Sequence, residues 1–127
     1  MSYHISKTVD LSFQDAIERT TAVLMENGFG VLTTIDVKAT LKKKIDAEFR
    51  PYTILGACNP KLAMGAIEAE PHVGLMLPCN VIVQEVDGKV EISAIDPVAS
   101  MQAIDNAKLT ETAAKVRGML ETVIANI

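Results

Sequence analysis

The dipeptide Asp87-Gly88 separates two runs of alternating apolar residues, and it constrains the fold more than any other feature of the chain. Both residue types accept the positive φ that a two-residue type I′ turn demands, and the twist of that turn matches paired strands. Upstream, Val73, Leu75, Leu77, Cys79, Val81 and Val83 share one parity, which predicts a strand over 73–86. Pro78 interrupts that run and predicts an edge position or a bulge. Downstream, residues 89–95 predict the returning strand. A hairpin of this kind has no crossover helix, so the pairing is antiparallel. A doubly wound parallel sheet is the competing topology, because the first part of the chain alternates β and α patterns.

The remaining elements follow from capping and periodicity. Residues 3–9 predict a strand with Tyr3, Ile5 and Val9 on one face. Ser12 is an N-cap candidate for a helix carrying Phe13, Ala16, Ile17, Thr20 and Leu24, and Gly28 ends it where a positive φ is cheap. Phe29, Val31, Thr33, Ile35 and Val37 alternate, predicting a second strand. Asp36 caps a short helix bearing Val37, Leu41, Ile45 and Phe49, closed by Pro51. Residues 52–58 predict a third strand with Tyr52, Ile54, Gly56 and Cys58 on one face. Asn59-Pro60 and Asp96-Pro97 each read as an N-cap followed by proline at the first helical position. The first opens a helix to about residue 70, the second a short helix to about 103. A last helix spans roughly 110–125, with the stripe Ala113, Val116, Leu120 and Ile124. The fold class is therefore α+β, with a largely antiparallel sheet and helices on one face, in a single domain over 1–127.

Composition closes off several functions. Net charge is −4, with 12 basic and 16 acidic residues, Trp is absent, and there are only 2 Tyr and 3 Phe. Neither an electrostatic footprint nor a stacking platform for nucleic acid is available. No apolar run approaches the ~20 residues that span a bilayer, and the N-terminus lacks a signal-peptide pattern. The expectation is a cytoplasmic protein with reduced thiols and no membrane partner. Two cysteines cannot build a disulfide framework. Nucleotide-binding, zinc-protease and serine-hydrolase motifs are missing, so no catalytic residue is assigned and a non-enzymatic role is favoured.

Chemistry-bearing residues concentrate in two stretches. Cys58-Asn59 ends one strand and opens a helix, while Cys79-Asn80 lies past Pro78. A thiol aimed at a helix N-terminus is activated by the dipole. The plainer reading makes both cysteines small core hydrophobes. Their spacing is not that of a zinc motif. His72 is a solvated loop residue on the simpler reading, and a Cys/Cys/His cluster extended by Met64 or Met76 is the alternative, suited to soft metals. Arg50 and Tyr52 flank Pro51. The guanidinium there can hold a carboxylate or phosphate with Asn59 and Asn80 as hydrogen-bonding partners, or simply pair with Asp46 or Glu48. Lys38, Lys42, Lys43 and Lys44 read as a solvated helix face. His4 lies opposite the apolar parity of its strand and faces solvent.

The segments Phe49–Pro60 and Gly74–Val81, together with Gly28–Leu32, Ile35–Val37 and Asp96-Pro97, resemble the signature stretches of the domain-of-unknown-function 302 family over nearly the whole chain. The resemblance implies a β-α-β4-α arrangement similar to the TATA-binding-protein group, and a homodimer. It implies no reaction and no cofactor. A mean hydropathy of +0.24 in so small a chain agrees with a dimer. The leading expectation is a non-catalytic dimeric module that binds a small ligand or partner through Arg50, Tyr52, Cys58, Asn59, Cys79 and Asn80. The alternative is a thiol-dependent redox or soft-metal function using Cys58 and Cys79. Nucleic-acid binding through the sheet is opposed by the charge.

Overall fold

The computed structural model describes residues 2–127. Five strands form one antiparallel sheet: β1 (His4–Val9), β2 (Gly30–Asp36), β3 (Tyr52–Cys58), β4 (Cys79–Val86) and β5 (Lys89–Ile95). Their spatial order is β1-β5-β4-β3-β2, so the first strand lies beside the last. Five helices accompany them: α1 (Phe13–Glu26), α2 (Val37–Ile45), α3 (Pro60–Ala69), α4 (Pro97–Ser100) and α5 (Ala107–Ala125), with a 3₁₀ helix over Pro71–Met76. This is the α+β, β-α-β4-α arrangement with short inserted helices. Among the described residues no helix is long and apolar enough to cross a membrane.

The turn chemistry acts as expected. Asp87 and Gly88 have φ of 52° and 79°, and Val86 pairs with Lys89. That fixes the β4–β5 register, in which Val81 faces Ala94 and Val83 faces Ile92. These four are fully buried, and they meet Leu55 and Ala57 of β3, Val23 and Leu24 of α1, and Leu120 and Val123 of α5. Burying each such side chain contributes roughly 1.5–3 kcal/mol. Ser12, Asp36, Asn59 and Asp96 all accept the backbone N–H bonds predicted of N-caps. Gly28, φ 85°, follows α1.

Five expectations need correction. The run 73–86 is not one strand. Glu70 caps the 3₁₀ helix Pro71–Met76, and β4 starts only at Cys79, after a cis Leu77-Pro78 bond. Alternation in Val73, Leu75 and Leu77 was therefore fortuitous. Val73 is buried against Ala66 and Leu109 in a second small core, while Leu75 is 86% exposed. Second, a register shift between Val31 and Thr33 breaks the parity of β2, leaving Thr33 and Ile35 exposed. Third, α2 stops at Ile45 because Asp46 turns left-handed (φ 51°), so Phe49 is outside the helix. Fourth, the core face of β3 is Thr53, Leu55 and Ala57 rather than the Tyr52 parity. The last helix also begins earlier, at Ala107, and takes in buried Leu109.

Candidate functional site

Where β3 ends and β4 begins, the sheet meets α3 and α5 over a cleft. Asn59 makes the junction. Its side chain accepts from Leu62 N at 3.1 Å, satisfying a free donor at the start of α3. Gly28 passes so close that a Cβ there would lie 3.1 Å from the Asn59 amide nitrogen, and its positive φ already calls for glycine. The cleft has an inner room of about 40 Å³, within an empty space of about 480 Å³ counted to its open mouth. Its walls come from Cys58 and Asn59, from Leu62 and Ala66 of α3, from Pro78 and Cys79, and from Leu109, Ala113 and Val116 of α5. Among the described residues no carboxylate or imidazole lines it.

Cys58 and Cys79 both line this cleft. Ala57 and Cys79 are register partners, so Cys58 lies one residue from direct opposition. Cys58 is the last residue of β3, where the pleat gives way to the α3 cap, and it faces the glycine Gly30 of β2. Neither cysteine is in a disulfide. Cys79 is buried and Cys58 half-buried. Burial pushes the Cys79 thiol up to about 11, with the neighbouring Cys58 adding to the effect. A thiol so raised stays protonated at neutral pH and is a poor nucleophile. Among the described residues no group of three or more His, Cys, Asp or Glu side chains is placed to hold a metal. His72, the expected third member, is exposed on the 3₁₀ helix and bonds Glu70 at 3.2 Å. Neither Met64 nor Met76 lines the cleft, whereas Met101 does.

The other three predicted residues lie elsewhere. Asn80 is exposed on the parity opposite Cys79, across from Gly56. Tyr52 and Arg50 stand at the far end of β3. Arg50 pairs with neither Asp46 nor Glu48, which Lys42 engages instead. Its Nε and Nη2 both donate to Gln84 Oε1, at 3.1 and 2.9 Å. The guanidinium carbon lies 4.5 Å from the Phe49 ring centroid and 5.6 Å from that of Tyr52.

From Gln84 a side-chain chain crosses the open face of the sheet. Gln84 donates to Glu91 Oε1 (3.3 Å), Ser93 donates to the same oxygen (3.2 Å), and Ser93, Ser6 and His4 Nδ1 continue at 2.7 and 2.6 Å. Sequence reasoning overlooked this network. The signal was present, because the hairpin register puts Gln84 beside Glu91 and Ile82 beside Ser93.

Comparison with known proteins places this geometry in context. The sequence model of one family, described as "Domain of unknown function DUF302", matches residues 5–127. A solved structure, the crystal structure of an uncharacterized conserved protein DUF302 from Bacillus stearothermophilus, superimposes with a TM-score of 0.93 at 28% identity. The match covers 99% of this chain and 98% of that one. No protein of curated function matches.

Proposed function

The chain belongs to the DUF302 family, and from that premise we propose a non-catalytic, cytoplasmic, dimeric module that binds a small ligand in the cleft at Cys58, Asn59 and Cys79. The observation that carries the reading is that Cys58, Cys79, the capping residue Asn59 and the start of α3 all border one apolar recess. Pockets of this kind take mainly apolar ligands oriented by a few polar groups. A catalytic reading has less support, since among the described residues no carboxylate or imidazole lines the cleft and the Cys79 thiol is held neutral. Dimerisation is supported by the apolar side chains left outside the core on β2 and α2, with Leu32 at 66% and Ile45 at 68% exposure. Nucleic acid is not among the partners of this reading, because the charge is −4. Arg50, Tyr52 and Asn80 are not part of the cleft.

The adjacency of Cys58 and Cys79 favours one second reading, thiol-dependent function. The test uses the intact protein with benzene and indole as probes, followed by amide NMR. Shifts confined to the ends of β3 and β4, to α3 and to the first half of α5, and lost in Ala113→Phe, are expected. Probes that leave these amides unmoved, or that move surface amides only, overturn the cleft reading.

A further inference from the structure

The main core lies on one face of the sheet, where Leu55, Val81, Val83 and Ile92 meet α1 and α5. The opposite parity carries Ile35, Ile54, Ile82 and Tyr52, and none of these four packs into either core. Strand pairing sets Ile35, Ile54 and Ile82 side by side across β2, β3 and β4, and continues the row as Ser93 and Ser6. Ile35 is 46% exposed, while Ile54 and Ile82 are half-buried. The next row holds Tyr52, Gln84 and Glu91. An apolar centre bordered by polar groups is the anatomy of a protein–protein interface.

Two charges border that centre, and the chain leaves both unmatched. Arg50 hydrogen-bonds the neutral Gln84, and Glu91 accepts from Gln84 and Ser93. Among the described residues neither charge takes part in an ion pair. Gln84 therefore stands between a cation and an anion that do not reach each other. Its strand, β4, is also the central one of five. A two-fold axis running along β4 exchanges β3 with β5. Such an axis lays Ile82 on the partner subunit's Ile82 and sets Arg50 against the partner subunit's Glu91, once on each side. Sheets stacked in this way lie about 10 Å apart, with side chains from both filling the gap.

We propose that this open face is the interface between two copies of the chain, centred on Ile82 and closed by two symmetry-related Arg50–Glu91 ion pairs. The proposal deepens the dimeric reading and rests on it. A second copy is the occupant because the face complements itself, its cation and anion flanking the central strand on opposite sides as an isologous contact demands. Lys89 shares the face but stands exposed beside the hairpin, at the rim, where a charge weighs little. The β2 edge with exposed Leu32 is the competing surface.

Charge reversal on the full chain, read by sedimentation velocity, separates the two surfaces. Arg50→Glu alone and Glu91→Arg alone each set like charges together at both contacts, and each should weaken self-association by more than about 100-fold. Mixed in equal amounts, the two variants regain opposite charges at both contacts. A heterodimer of near wild-type affinity is expected, which a merely structural role for either side chain does not produce. Dimers that persist in both single variants, or variants that stay monomeric on mixing, overturn the proposal. Should either variant fail to fold, isotope-filtered NOEs in a wild-type dimer of labelled and unlabelled chains decide. Intermolecular NOEs from Ile82 and Ile54 methyl groups support the face, and NOEs confined to Leu32 and Ile45 overturn it. A monomeric wild type removes the dimeric reading itself, whereas a wild-type dimer indifferent to charge reversal removes this proposal alone.

Discussion

At the scale of single residues, Glu91 orders the open face of the sheet. A carboxylate only accepts, so Ser93 must give its one proton to Glu91. Ser6 must then donate to Ser93, and His4 Nδ1 must carry a proton toward Ser6. The neutral His4 ring is therefore expected as the Nδ1–H tautomer, with Nε2 free. Nitrogen-15 NMR of the imidazole checks this, and Ser6→Ala should shift the ring toward the tautomer usual in water. A mixed ring unaffected by Ser6→Ala counts against it. Cys79 gives a second prediction. Its folded value of about 11 lies above the ordinary 9.0 because burial disfavours the thiolate. A group raised in this way contributes stability in full below the unfolded value, and that contribution is lost as pH rises through the folded one. Stability should fall between pH 9 and 11, by on the order of 2–3 kcal/mol from this thiol, at about 1.36 kcal/mol per unit. Denaturant unfolding of the wild type against Cys79→Ala reads it, and equal slopes in the two proteins would sink it.

At the scale of elements, caps and turns carry local information that strands do not. Asn59 is the only described side-chain cap of α3, so Asn59→Ala should cost about 1 kcal/mol, within the 0.5–2 kcal/mol usual for lost caps. Thermal unfolding should show a drop of a few degrees with the fold intact; no change would mean that Pro60 alone sets the helix start. The same logic explains which elements were legible. Ser12, Asp36, Asn59 and Asp96 act through bonds to N–H groups two or three residues on, so their effect is written within one short stretch. Asp87-Gly88 likewise fixes its hairpin through its own dihedrals. The stretch before β4 was misread because Val73, Leu75 and Leu77 alternate as in a strand, while Glu70 and Pro71 open a 3₁₀ helix. Only tertiary context, the burial of Val73 against Ala66 and Leu109, selects between the two. The candidate site was half legible. The Cys58-Asn59 pairing with a helix start could be read directly. That Asn80 turns away depends on the pleat of β4, whose register was set from the hairpin at its other end. The α5 walls of the cleft come from thirty or more residues away, where no local pattern points back to Cys79.

At the scale of the molecule, one helix contributes almost nothing to the core. No residue of α2 is buried, and Leu32, Ile35 and Ile45 stay exposed along the β2 edge. An isolated nine-residue helix is marginal in water. A second copy covering this edge would remove both the apolar surface and the free strand. Light scattering at tens of micromolar, above the dissociation constants of ordinary dimers, should give twice 13.7 kDa. A monomer mass there would refute the dimer. The strand order has a kinetic consequence too. Strands β2 to β5 are each paired with their neighbour in sequence, whereas β1 must find β5, with His4 opposite Ile95. Closing that long loop is an entropic debt settled before any β1 contact is made. The first strand synthesised is thus expected to dock last, and Ile5→Val should hasten unfolding by a few-fold while leaving the refolding rate nearly unchanged.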